Sequence, residues 1–206
     1  MTTNETIDLG PAARRLADVV EGVRDEQLRA PTPCADANVA DLLDHVDGLA
    51  QGFTAAAEKR QLEGSQGPRA DGSQLGDGWR PRIRARLEAL TAAWRDPAAW
   101  EGMTQAGGVD LPGEVAGLVA LNEVIVHGWD LASATGQPYD CDARLVEAAM
   151  GFVRSAVAQN PEGSPGLFGP PVAVPDDAPP LARLVALTGR RPDWTAPPLD
   201  RPSARA

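Results

Sequence analysis

The stretch "NEVIVHGWDLA", residues 122–132, decides how this chain folds. It lies in an apolar segment from about residue 112 to 135, which Gly136 and Pro138 end. Drawn as a helix, this segment is surrounded by large aliphatic side chains: Leu118, Val119, Leu121, Val124, Ile125 and Val126. A helix that is apolar nearly all round belongs in the centre of a protein. We therefore predict an all-α protein built around this segment.

A narrow polar stripe interrupts that apolar surface. Glu123, His127 and Asp130 fall within about 60° of one another on a helical wheel, and the other positions of the stripe are alanines. Because an uncompensated carboxylate is costly inside a core, a metal ion or another cation must pair with Glu123. This segment alone leaves two interpretations open. Either Glu123 and His127 are metal ligands, or a Glu–Arg pair lies beside a hydrogen-bonded core histidine.

The only other histidine, His45, lies in a second amphipathic segment that begins near Asn38. Apolar residues such as Leu49 share its side of the predicted helix, so His45 should point into the same core. Two histidines and one carboxylate are a familiar ligand set for zinc with an open position, or for non-haem iron, nickel or manganese. We favour a metal site formed by His45, Glu123 and His127. A hydrogen-bonded core histidine remains the alternative for His45.

Three further residues are candidates for supporting roles. Asp130 could orient the imidazole of His127, or it could cap the helix or pair with an arginine. Arg86 falls at the edge of the apolar arc of a third helix, where it could hold an anionic substrate, although a solvated arginine is the commoner case. Cys34 precedes the helix that carries His45, and with Asp130 it is one of two nearby candidates for a fourth ligand.

Helical periodicity also dominates the rest of the chain. We predict long helices over about 7–28, 38–60 and 79–96 in addition to the central one, a fifth over 143–159, and a short one over 181–189. The segment around 100–113 is predicted to be an irregular connection, because no strand alternation is evident. The expected architecture is an up-down four-helix bundle over residues 1–160. A proline-rich arm and short helix over 161–206 pack on it, and the tail after Trp194 is expected to be disordered.

Composition narrows the classes of partner. With 19 basic and 29 acidic residues the net charge is −10, which argues against a nucleic-acid or anionic-membrane binder. The opening "MTTNETIDLG" has no basic-then-apolar signal, so we expect a soluble cytoplasmic protein that does not bind a membrane. No phosphate-cradling loop, dinucleotide fingerprint or nucleophile elbow occurs. The expected partners are a small-molecule substrate and a thiol cofactor, with the protein a monomer or homodimer.

Three blocks of the sequence resemble a known family. They are "PTPCADANVADLLDHVDG" (31–48), "LNEVIVHGWDLASATG" (121–136) and "FGPPVAVPDDAPPLARLVALTGRRPDW" (168–194). They are similar to an actinobacterial metal-binding family, which is related to the N-terminal domain of mycothiol-dependent maleylpyruvate isomerase and lies within the DinB-like superfamily. The resemblance implies a four-helix bundle with His45, Glu123 and His127 as metal ligands. It also implies mycothiol, a low-molecular-weight thiol, as a cofactor.

These observations lead to one favoured function and two alternatives. We expect a divalent-metal-dependent, thiol-using transferase or isomerase that acts on a small electrophile, with zinc as the first choice of metal. The first alternative is a non-catalytic helical bundle that binds a metal or a ligand. The second is a metal-water hydrolase that needs no thiol.

Overall fold

The computed structural model describes residues 7–34, 37–61, 70–163 and 168–197 and has an all-α, DinB-like fold. Seven helices and one small hairpin make up the described chain. In chain order they are α1 (Gly10–Gly22), α2 (Val39–Ala57), α3 (Trp79–Trp94), α4 (Pro97–Trp100), β1 (Met103–Ala106), β2 (Val109–Pro112), α5 (Gly113–Thr135), α6 (Ala143–Gln159) and α7 (Pro180–Leu187). The predicted fold class is confirmed.

Helices α1, α2, α3 and α5 form the bundle. Both α1 and α2 pack against α3 and α5, so α1 and α2 lie at opposite corners, as do α3 and α5. Helix α6 covers α5 from outside, and α7 packs on α6. The packing of α2 against α5 brings together the two helices that carry the two histidines.

The central position of α5 follows from its apolar surface. Leu121, Val124 and Ile125 are completely buried, and most of the helix is enclosed by its neighbours. By length and composition α5 would be able to cross a membrane, but 83% of its most apolar 18-residue window is buried inside the protein. It is therefore the core helix that its sequence predicts.

Local sequence signals set the ends of the helices. The side chain of Asn38 accepts a hydrogen bond from the backbone N–H of Asp41, and the Asp41 carboxylate accepts one from the backbone N–H of Asn38. This reciprocal capping box, predicted from the sequence, starts α2. Gly136 ends α5 in the left-handed conformation at φ 69°. Asp142 caps the start of α6 at its predicted boundary.

The predicted irregular connection before α5 is wrong. Residues 103–112 form an antiparallel hairpin in which Ala106 pairs with Val109. Gly107 and Gly108 make its two-residue turn with φ of 57° and 81°, and such a turn needs positive φ at both positions. Each strand has only four residues, which is too short for alternation to be visible, so the Gly-Gly pair was the usable signal.

The first helix is shorter than its hydrophobic pattern suggests. It ends at Gly22, Val23 is extended, and a 3₁₀ turn follows at Asp25–Gln27. The buried Gln27 side chain donates a hydrogen bond to the carbonyl of Thr135, which fixes this turn against the end of α5. The third helix, predicted over 79–96, also ends earlier than expected. Helix α3 stops at Trp94, and Pro97 begins the separate short helix α4.

The C-terminal arm returns to the bundle. After α6, Phe168 joins the hydrophobic core, and α7 buries Leu184 and Val185. Arg190, just beyond α7, is also buried. Part of the tail expected to be disordered, residues 198–206, lies outside the described residues. The division at residue 160 into bundle and arm stays a prediction.

Candidate metal centre

Helices α2 and α5 bring His45, Glu123 and His127 together. The His127 Nε2 atom lies 3.0 Å from Glu123 Oε2, and His45 Nε2 lies 3.5 Å from the same oxygen. The two imidazole rings meet edge to face, with centroids 4.8 Å apart. Glu123 and His127 are one helical turn apart on α5, while His45 approaches from α2. One donor atom from each residue therefore lies within 4.8 Å of the other two, which is compatible with a divalent metal.

The three side chains differ in exposure. Those of His127 and Glu123 are 6% and 10% exposed, whereas that of His45 is 20% exposed. The site is therefore closed on the α5 side and most open beside His45.

Asp130 holds the far side of the His127 ring. Its carboxylate lies 3.1 Å from His127 Nδ1, and Asp130 is completely buried. This contact favours a proton on Nδ1, which leaves the Nε2 lone pair free for a metal. Asp130 thus contacts His127 as predicted, while its role in orienting that ring stays a prediction.

Arg190 pairs with Asp130 from the C-terminal arm. Its Nη2 donates to Asp130 Oδ2 at 3.1 Å and its Nε to Oδ1 at 3.4 Å. Arg190 also donates to the Thr188 carbonyl at 2.9 Å, so this buried guanidinium is well satisfied. A continuous chain of contacts runs from the arm through Asp130 to His127.

The electrostatics of the cluster stabilise opposite charges on Glu123 and His127. Burial opposes the charged form of both groups, but in each case the charges and hydrogen bonds of the neighbouring side chains together outweigh it. The Glu123 carboxylate, together with Asp130, raises the pKa of His127 to about 9. The two histidines hold the pKa of Glu123 well below its usual range. Without a metal, a proton on His127 takes the place that a cation would fill.

Cys34 comes closer to this cluster than its sequence position suggests. Its Sγ lies within 4.8 Å of donor atoms of both His127 and Asp130. The loop that carries it is held by Thr32, whose hydroxyl donates to the carbonyls of Cys34 and Ala37. Burial raises the pKa of the Cys34 thiol, so the structure places a neutral thiol beside the histidine.

Arg86 makes its contacts elsewhere. Its Nη1 lies 3.0 Å from Asp47 Oδ1 and donates to the Asp47 carbonyl at 3.2 Å. Arg82 pairs with the other carboxylate oxygen of Asp47 at 2.8 Å. Both of the contacts that place Arg86 go to Asp47, and a substrate-holding role for it remains a prediction.

Arg190 was not among the site residues predicted from the sequence. The prediction that Asp130 might pair with an arginine pointed to a partner near the end of the same helix, whereas Arg190 is 60 residues away. The sequence signal for it was the pair Arg190–Arg191, which directly follows a short apolar helix. At such a position one of the two arginines can be buried with the helix. Arg191 is indeed exposed and pairs with Asp193.

Comparison with known proteins identifies one matching family and two relatives. The family described as "Mycothiol maleylpyruvate isomerase N-terminal domain" matches residues 9–132, which include all three residues of the cluster. Two uncharacterized proteins of Mycobacterium tuberculosis, from strains CDC 1551 and H37Rv, are each 31% identical over 178 residues. Each alignment covers 84% of this chain and 91% of the relative. No solved structure matches.

Proposed function

Because the chain belongs to the mycothiol maleylpyruvate isomerase N-terminal domain family, we propose that it is a metal-dependent enzyme that uses a low-molecular-weight thiol. In this proposal His45, Glu123 and His127 hold a divalent metal, with zinc as the first choice and nickel, iron or manganese as alternatives. The reaction is transfer of the thiol to a small electrophile or a thiol-assisted isomerisation. Mycothiol is the expected thiol.

Two features of the site support this proposal. Three donor atoms lie close together, and the other ring nitrogen of His127 contacts the Asp130 carboxylate. His127 Nε2 and His45 Nε2 lie 3.0 Å and 3.5 Å from Glu123 Oε2, and Asp130 engages His127 Nδ1. An outer carboxylate on a histidine is typical of metal-binding imidazoles. The donor set of two imidazoles and one carboxylate suits a metal that keeps a position open for a ligand.

A bound divalent metal would lower the pKa of a coordinated thiol and so supply a thiolate at neutral pH. The residues of the chain set the conditions for that chemistry. Glu123 contributes a single negative charge, which leaves room for an anionic thiolate to balance a divalent ion. Asp130 and Arg190 keep the His127 ring fixed. The partly exposed His45 marks the side from which thiol and electrophile enter.

A second function is binding without catalysis, and Cys34 is the candidate for a fourth protein ligand. Its thiol lies within 4.8 Å of donor atoms of His127 and Asp130, a group separate from that of His45 and Glu123, so Cys34 would have to move to reach the metal. A metal with four protein ligands is typical of a closed, structural site. The two functions therefore differ in whether the fourth position is taken by Cys34 or by an external thiol.

An assay of thiol conjugation separates these functions. Metal-loaded protein is incubated with mycothiol and the electrophilic probe monochlorobimane, and the conjugate is quantified by fluorescence. We expect thiol-dependent turnover that Glu123→Gln abolishes. Glu114→Gln, which removes an exposed carboxylate from the same helix, should leave turnover unchanged.

The other outcomes select the alternatives. Stoichiometric metal without turnover of any thiol would favour the binding protein. Turnover of an activated ester that requires metal but no thiol would favour the hydrolase.

A further inference from the structure

A groove between α1 and α3 forms a second polar feature that the metal centre does not use. This α1–α3 groove has a volume of about 250 Å³, and its lining includes Ala13, Arg14, Ala17, Arg84, Leu87 and Arg95. The floor is apolar, because Ala13, Ala17 and Leu87 are buried. Three arginines stand around that floor, while Glu88 is the one carboxylate among the described lining residues.

The arginines of the groove converge. Gly10 has no side chain, and the position where its Cβ would stand lies 3.0 Å from Asp8 Oδ1, 3.1 Å from Arg14 Nη1 and 3.2 Å from Arg95 Nη2. Two guanidinium groups and one carboxylate therefore meet over a single glycine. One carboxylate balances only one of the two positive charges, so the arrangement still favours a further anion. It is also unexpected in a chain whose net charge is −10.

Protein carboxylates satisfy these arginines only in part. Arg95 Nε lies 3.4 Å from Asp8 Oδ1, and Arg84 Nη2 lies 3.7 Å from Asp18 Oδ1. Both distances exceed the usual 2.7–2.9 Å of a charge-assisted hydrogen bond. Arg14 makes no hydrogen bond or ion pair to any residue in the described part of the chain. Most guanidinium donors around the groove are thus available to a ligand.

From this geometry we infer that the α1–α3 groove binds a small organic anion with at least two negative charges. The guanidinium forks of Arg14, Arg84 and Arg95 bind its carboxylate or phosphate groups, and its carbon skeleton lies on the apolar floor. The site shares no residue with the metal centre. The inference therefore stands apart from the proposed thiol chemistry.

The test is a titration of the nitrogen-15-labelled full chain, monitored by NMR. The probes are inorganic phosphate and glutarate, each added at constant ionic strength with sodium chloride as the compensating salt. We expect saturable shifts of backbone resonances in α1 and α3 with at least one probe. A response to phosphate alone assigns a phosphate ligand, and a response to glutarate alone assigns a dicarboxylate.

Two double variants with the same change of charge decide the assignment. Arg14→Gln with Arg95→Gln should weaken binding at least about tenfold, because it removes the convergent pair. Arg144→Gln with Arg154→Gln removes two exposed arginines of α6 and should leave binding unchanged. The inference is overturned if neither probe gives saturable shifts. It is equally overturned if both double variants weaken binding alike.

Discussion

At the scale of single residues, His127 connects the candidate metal centre to the rest of the protein. Its Nε2 faces Glu123 and its Nδ1 faces Asp130, so each ring nitrogen has a separate role. Asp130 in turn is shared between His127 and Arg190. A change at Asp130 should therefore affect both metal binding and stability.

Asp130→Asn tests this double role. The substitution keeps the shape of the side chain but leaves the buried Arg190 without its counter-charge. We expect a loss of about 3–5 kcal/mol in the free energy of unfolding, measured by urea denaturation. Metal affinity, measured by competition with a chelator, should fall about 10- to 100-fold.

Asp193→Asn is the matched control for that experiment. Asp193 pairs with Arg191 at 3.0 Å, but both side chains are exposed, so removing this ion pair should not move the unfolding midpoint. If Asp130→Asn were as silent as the control, Asp130 would not position His127.

The raised pKa of His127 predicts proton release on metal binding. At pH 7 the metal-free imidazole is protonated, because its pKa is about 9, and a metal at Nε2 must displace that proton. Calorimetric titration in two buffers of different ionisation enthalpy should therefore detect roughly one proton from His127 per bound ion. The apparent affinity should rise with pH up to about 9 and then level off. Equal heats of metal binding in both buffers would contradict the expected contact between the metal and His127 Nε2.

The residues of the cluster were predictable from sequence for a simple reason. Glu123 and His127 are four apart on one helix, and each histidine lies on an apolar face, so periodicity alone places all three in the core. Arg190 and Cys34 were not predictable in this way, because they reach the cluster through loops. No periodic pattern relates a loop residue to a helix face.

At the scale of elements, the close packing of α5 depends on glycines. A Cβ built on Gly128 would lie 2.7 Å from Tyr139 Cζ, which is closer than side chains tolerate. Gly128 therefore allows the Tyr139 ring to lie directly on the helix backbone beside His127. Gly117, nearer the start of the same helix, makes similar room for Trp100.

Gly128→Ala should destabilise the protein by about 1–3 kcal/mol, because the new methyl group would force the Tyr139 ring or α5 to move. The control is Gly151→Ala on the exposed face of α6, where an added Cβ meets nothing within 4 Å. There the gain in helix propensity should stabilise the protein by about 0.8–1 kcal/mol. Urea denaturation measures both changes, and a stabilising effect of Gly128→Ala would show that the packing is looser than described.

The elements were predictable to different degrees. The boundaries of α2 and α6 were marked by capping residues, Asn38 and Asp142, whose side chains bond to the first turn. The hairpin was missed because its short strands show no alternation. The end of α1 was missed because the hydrophobic pattern continues beyond Gly22, whereas the backbone of Val23 is extended.

At the scale of the whole molecule, the bundle and the arm jointly build the site. Helices α2 and α5 supply the three cluster residues, and the arm supplies Arg190 behind them. An all-α bundle was predictable, since periodic apolar faces and one wholly apolar helix allow few other architectures. The docking of the arm was not predictable in detail. The proline-rich segment before α7 has little helical or strand periodicity from which its contacts could be predicted.

A divalent metal held jointly by His45, Glu123 and His127 underlies the proposed function. We would first measure the metal content of the untagged protein by elemental mass spectrometry, beside His45→Ala and Glu123→Gln variants. We expect about one metal ion per chain in the parent and almost none in either variant, while circular dichroism shows that helicity is retained. A parent protein that holds no metal after purification, and takes up none from zinc, nickel, manganese or anaerobic iron, would contradict it.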